Sequence, residues 1–271
     1  MRCVRTIELW PVENATTVVI TAAGEIVGAH GELDRPFFLA SVTKLLTAFA
    51  VHVALEEGVL ELDDAAGPAG STVRHLLAHA SGLDAVQRAV RAAPGARRIY
   101  SNAGFEVLAE TVEQRSGIAF PEYVRDALLV PLGMSSTTVT GSPAAGAVST
   151  AADLARFAAE LQRPTLLDPS TLAAATAVAY PGLAGVLPGF GRQFPNDWGL
   201  GFELRDGKHP HWTGATSAPT TYGHFGQSGT FVWVDPAAQL ACVVLTDRDF
   251  GPWAAQAWPE YTDAVLAERR G

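Results

Sequence analysis

Lysine is almost missing from this chain. Among its 271 residues only Lys44 and Lys208 are lysines, and arginine supplies every other permanent positive charge. Basic residues total 19 against 28 acidic ones, a net charge of −9, so no basic stripe is available to neutralise phosphates and no nucleic-acid partner is expected. Cysteine is nearly as scarce. Cys3 and Cys242 are too few for a disulfide framework and lack metal-ligand spacing, and a bridge between them requires the first and last strands to adjoin. No stretch approaches the roughly 18 consecutive apolar residues of a membrane span. The opening run from Met1 to Pro11 has neither an uninterrupted apolar segment nor a small-residue cleavage site, so the chain reads as a cytoplasmic protein without a membrane partner. Internal repeats, linkers and low-complexity tracts are absent too, which leaves one folding unit.

What is present is ample for a core, with 48% hydrophobic and 17% charged residues. Residues 16–20 and 25–29 are β-rich runs separated by Ala22-Ala23-Gly24, a plausible hairpin. Residues 41–58 form a helix that is apolar nearly all round, which places it inside the molecule. Further helices are predicted over 73–80, 103–116, 121–129, 151–161 and 169–178, followed by a long Gly/Pro-rich loop over 180–197. Strands return at 199–204, 230–234 and 240–246, and a helix over 253–269 closes the chain. This order predicts an α+β fold: an antiparallel sheet built from both chain termini and flanked by helices, with a mostly helical lobe inserted. The expected organisation is a single two-lobed domain over 1–271, with a sheet lobe at about 1–40 and 198–271 and a helical lobe at about 41–197.

Three clusters carry possible chemistry. The first is Ser41-x-x-Lys44 at the start of the buried helix. A three-residue spacing puts the hydroxyl and the amine on one helix face, and burial lowers a lysine pKa, so Lys44 can act as a base where an arginine could not. Alone, the same pattern also describes an N-cap serine followed by a surface lysine. The second is Tyr100-Ser101-Asn102, which offers a phenol and an amide, or simply a cap for the following helix. The third is His224-Phe225-Gly226-Gln227 beside a strand, where a glycine allows close backbone approach and an exposed N–H could join that of Ser41 in an oxyanion hole. A histidine satisfied within a sheet is the plainer reading of His224.

Taken in this order, Ser-x-x-Lys, Tyr-x-Asn and a Lys/His-x-Gly strand resemble the penicillin-recognising serine hydrolases, and most of all the branch of class C β-lactamases, D-alanyl-D-alanine carboxypeptidases and serine esterases. Phe38-Leu39-Ala40 before Ser41, Leu76-Leu77-Ala78-His79-Ala80-Ser81-Gly82-Leu83, Pro131-Leu132-Gly133-Met134, Ser149-Thr150-Ala151-Ala152-Asp153-Leu154 and Gly199-Leu200-Gly201-Phe202 also look like that branch's recurring segments. The resemblance implies that Ser41 is the acylated nucleophile and that Lys44 and Tyr100 share its proton. Asn102 would orient Lys44 and the substrate. His224 and Gly226 would line the strand edge, and Gln227 N–H with Ser41 N–H would bind the oxyanion. His75 and His79 have a spacing compatible with a metal, but the resemblance makes His79 and Ser81 a structural helix end, and no cofactor is implied.

The middle residue of the strand motif departs from the pattern. A threonine or serine there would help hold a substrate carboxylate, whereas Phe225 cannot. With Phe190, Phe194, Trp198 and Trp212 nearby in sequence, Phe225 points to an apolar pocket, although these aromatics equally suit a core. The interval between Ser41 and Tyr100 is short for this branch. A small-molecule ester or amide substrate follows, with small-ester hydrolysis ahead of β-lactamase or D-amino-acid peptidase activity. Acyl transfer, or ligand binding without catalysis, completes the set of expectations.

Overall fold

The computed structural model describes residues 1–270. Its strands are β1 (Ala15–Thr21), β2 (Ile26–His30), β3 (Phe37–Phe38), β4 (Thr138–Val139), β5 (Ala147–Ser149), β6 (Gly185–Leu187), β7 (Gly191–Gln193), β8 (Glu203–Leu204), β9 (Tyr222–Gly226), β10 (Thr230–Asp235) and β11 (Leu240–Thr246). The helices are α1 (Thr43–Glu56), α2 (Val73–Leu77), α3 (Asn102–Ser116), α4 (Phe120–Val124), α5 (Ala151–Gln162), α6 (Pro169–Ala175) and α7 (Pro252–Arg270). The main sheet runs β2-β1-β11-β10-β9-β8, antiparallel throughout, so strands from both ends of the chain meet at the β1–β11 pair. β1 and β11 adjoin as a disulfide would need, yet both cysteines are free.

Alternation along the strands sorts side chains onto two faces. Val18, Ile20, Val232, Val234, Val243 and Leu245 pack with the helical region, whereas Val19, Phe231, Trp233, Cys242 and Val244 pack against α7 and the N-terminal 3₁₀ segment Cys3–Leu9. The first of these clusters also contains Phe49 of α1, Phe105 of α3 and Phe157 of α5. Because one apolar cluster joins sheet and helices, we propose that the chain is a single two-lobed domain.

Two segments differ from the sequence expectation. The strand expected over 199–204 is reduced to Glu203–Leu204, because the preceding turn is wedged under α1. Gly201 adopts φ +98, and a Cβ there would collide with that of Ala48. The loop expected over 180–197 contains the hairpin β6–β7, whose Leu187 and neighbouring Phe190 pack in the α7-side cluster. No helix among the described residues is long and apolar enough to cross a membrane.

Candidate active site

Ser41 does not begin the α-helix itself. It sits in a 3₁₀ turn, Ala40–Val42, that feeds α1. Ala40 is held at φ +45, a left-handed conformation that costs an alanine of order 1 kcal/mol and that surrounding contacts must enforce. Those contacts come from the end of β9 and the strand after it. Thr230 Oγ1 donates to the Leu39 carbonyl at 2.9 Å, and Ser228 Oγ to that of Phe38 at 2.7 Å. Gly226 makes the approach possible: a Cβ there would collide with the Leu39 carbonyl oxygen and lie 2.6 Å from Thr230 Oγ1.

From the first turn of α1, Lys44 reaches a fully buried position, 0% exposed. Its Nζ lies 3.3 Å from Ser41 Oγ, donates to Asn102 Oδ1 at 2.6 Å and donates to the Ala144 carbonyl at 2.8 Å. It also lies 4.6 Å from the centroid of the Tyr100 ring. Burial drives its pKa well below the ordinary lysine value, and the charge on Glu106 opposes this only in part. A neutral amine has two N–H groups and one lone pair. With Asn102 and Ala144 taking those two donors, the lone pair of the deprotonated form would face the Ser41 hydroxyl.

Tyr100 hydrogen-bonds to Ser41, and burial raises its pKa, so the phenol keeps its proton. The tyrosine is held from both sides. Arg98 donates to the carbonyls of Asn196 (3.0 Å) and Ala179 (2.8 Å), and the Ile99 N–H donates to the His79 carbonyl at 2.9 Å. The His79 ring lies 4.7 Å from that of Tyr100, and its Nδ1 accepts the Ser101 N–H at 3.1 Å. Burial, with Lys44 nearby, keeps His79 neutral. His75, by contrast, has Nδ1 2.9 Å from Thr72 Oγ1, so the two imidazoles serve separate partners. Ser101, not Asn102, caps α3: its Oγ accepts the Gly104 N–H at 3.0 Å. That frees the Asn102 amide for Lys44.

A cavity of about 160 Å³ opens on Ser41, Tyr100, Trp198, His224, Phe225 and Gln227, with Leu187, Pro188 and Glu203 completing its wall. His224 is buried, its Nδ1 lies 2.6 Å from the Phe225 carbonyl, and Nε2 has no partner among the described residues. Burial, reinforced by Lys44, lowers its pKa to about 3, so this strand edge carries a neutral imidazole. Phe225 touches the cavity, but strand alternation turns its ring toward α7. There it packs 4.9 Å from Phe250 and 5.8 Å from Trp258. Trp212 is core, Phe194 is exposed and Trp198 lines the cavity. The Gln227 side chain donates to the Phe250 carbonyl at 3.1 Å, and the Gln227 carbonyl accepts the Phe250 N–H at 2.7 Å.

Sequence reasoning missed a second buried charge cluster. Lys208 is as buried as Lys44, and it donates to Glu203, to the Leu204 carbonyl and, at 2.6 Å, to the Asp197 carbonyl. Glu203 also takes His211 Nε2 and Trp212 Nε1, each at 2.9 Å. Burial alone would raise the Glu203 carboxyl, but Lys208 and His211 bring it down to about 2. The only signal was the rarity of lysine. The Ala144 carbonyl, set by the Ser142–Gly146 turn, left no signal.

A family model described as Beta-lactamase matches residues 15–267. A crystal structure of a β-lactamase from Mycobacterium bovis is 56% identical, covers 98% of this chain and 99% of its own, and superposes with a TM-score of 0.97. Penicillin-binding protein 4* of Bacillus subtilis (strain 168) is 29% identical over 168 residues, 45% of this chain but only 37% of that protein. EstCE1, a hydrolase with promiscuous acyltransferase activity, shares the fold at TM-score 0.79 and 19% identity, over 97% of this chain and 96% of its own.

Proposed function

The chain belongs to the β-lactamase family of serine hydrolases, and we propose that within it this protein hydrolyses small esters through an acyl-enzyme on Ser41. The observation that carries this reading is the strand edge His224-Phe225-Gly226. It presents a neutral imidazole where a carboxylate-bearing substrate would need a cation or a hydroxyl, and Phe225, its ring packed toward α7, supplies no hydroxyl there. The rest of the cavity wall adds Trp198, Leu187 and Pro188.

In the proposed reaction Ser41 Oγ bonds to the ester carbonyl carbon while its proton passes to the lone pair of Lys44. The N–H groups of Ser41 and Gln227 stabilise the oxyanion, and loss of one such donor typically costs about 10²–10³ in rate. When the C–O bond to the alcohol breaks, the departing oxygen takes a proton from Tyr100, which recovers one from Lys44. Because burial raises its pKa, Tyr100 works as a relay and not as a standing phenolate base. Water then attacks the acyl-enzyme, gives its proton to the same amine–phenol pair, and releases the acid with Ser41 restored. Asn102 Oδ1 aims Lys44.

The second reading is β-lactam hydrolysis, favoured by the Mycobacterium bovis relative described as a β-lactamase. Initial rates on a short-chain p-nitrophenyl ester and on a chromogenic cephalosporin, for wild type and Ser41→Ala, separate the two. The ester reading expects Ser41-dependent ester turnover with little cephalosporin turnover. Rapid cephalosporin hydrolysis would make the β-lactamase reading primary.

A further inference from the structure

Beside the Ser41 cavity lies a larger groove of about 710 Å³, a volume typical of small-molecule sites. Tyr100 and Pro188 line both spaces, so one ligand can extend from the reacting centre into the groove. The groove is framed by the segment around Arg98, bridged to Gly185, and by the β6–β7 hairpin, where Val186 faces Arg192 across the pair. Its wall is apolar at Ile99, Val186 and Phe194. Val186 is 54% exposed and Phe194 84%, large apolar side chains left against water.

No acidic residue lines this groove, yet three arginines do. Arg98 is committed to backbone carbonyls and lies 3.9 Å from Asp197. Arg97 and Arg192 are different: both are exposed, and neither has an ion pair among the described residues. Elsewhere in this acidic chain Arg74, Arg88 and Arg91 each hold a carboxylate, whereas Arg163, Arg205 and Arg248 have no ion pair among the described residues, so what marks Arg97 and Arg192 is their shared place on one groove. Two unpaired guanidiniums over an apolar groove are complementary to an amphipathic anion.

We propose that the groove receives the distal arm of the substrate, an apolar spacer ending in an anionic group, carboxylate or phosphate, held by Arg97 and Arg192. The proposal builds on the Ser41 ester reading for which bond is cleaved, but recognition of the anionic arm can be measured without turnover. The test is calorimetric titration of the wild-type protein with octanoate, octyl phosphate and the neutral octanamide at low salt. We expect at least one anion to bind roughly 10-fold more tightly than the amide, with a preference that falls as salt rises. The better anion identifies the headgroup. The preference should vanish in Arg97→Ala/Arg192→Ala and survive in Arg163→Ala/Arg269→Ala, which removes the same charge elsewhere. Equal binding of anions and amide by wild type would overturn the proposal, as would equal loss in both double variants. Ester kinetics with Ser41→Ala fail or succeed independently of these titrations, so the two readings can fall separately.

Discussion

Replacing Lys44 by arginine keeps the helix but not the chemistry. A guanidinium cannot give up its proton at any working pH, and its fork does not match the Asn102 oxygen, the Ala144 carbonyl and a serine hydroxyl at once. Lys44→Arg should lose about 10³ in kcat/KM on a p-nitrophenyl ester, within the range of general-base effects, and near-normal rates would remove Lys44 as the base. At Phe225 two consequences run together. Phe225→Thr should raise acylation by carboxylate-bearing β-lactams relative to simple esters, measured as the ratio of kcat/KM values. It should also lower stability by about 2–4 kcal/mol through the packing lost against Phe250 and Trp258. An unchanged substrate ratio would mean that the cavity does not sense this side chain. At this scale Ser41, Lys44 and Asn102 could be read because short, local spacings encode them. Phe225 could be read only in part, since which face of β9 it takes depends on the register with β10, which the local sequence does not specify.

Elements hold these residues in place by close backbone approach. β9 presses on the turn before α1 through Gly226, so the nucleophile's geometry is set by a strand nearly two hundred residues away in sequence. Gly226→Ala forces the strand off the Leu39 carbonyl. We expect a fall of about 10²-fold in kcat/KM, because small misplacements of reacting groups are costly, together with a lower unfolding midpoint. Unaltered kinetics would show that the strand's position does not control Ser41. The helices over 102–116 and 151–162 were legible because Ser101 and Thr150 cap them and an apolar stripe runs along them. The segment before β8 is not strand because Gly201 packs against α1 and Gly199 against the Ala175 carbonyl of α6, tertiary requirements that periodicity does not report.

The whole molecule buries both of its lysines, and they do opposite things. Lys44 is buried with no carboxylate contact among the described residues and its pKa is lowered, whereas Lys208 is paired with Glu203 under the cavity wall. Removing one partner of a buried pair typically costs about 3–5 kcal/mol, so Glu203→Gln should lower the thermal midpoint by roughly 10 °C near neutral pH. The sign of the pH dependence follows from the depressed carboxyl. Glu203 stabilises the fold fully above its ordinary value of 4.5, and that contribution is lost as pH falls toward about 2. The gap between wild type and variant in a calorimetric pH series should therefore close over that window, and a constant gap would contradict the pairing. At this scale the two-ended antiparallel sheet was legible from strands at both termini. The buried ion cluster was not, because Glu203, Lys208, His211 and Asp197 come together only once the loop after β8 folds back.

The account turns on Ser41 being activated by a lysine whose pKa burial has lowered. The direct measurement is the rate of Ser41 phosphonylation by a p-nitrophenyl alkylphosphonate across pH, followed by p-nitrophenolate release with the adduct located by peptide mass spectrometry. The predicted result is a single adduct on Ser41 whose rate falls on the acid side through a midpoint well below the ordinary lysine value of 10.5, and which is lost in Lys44→Arg. A midpoint near 10.5, or labelling that leaves Ser41 untouched, would contradict it.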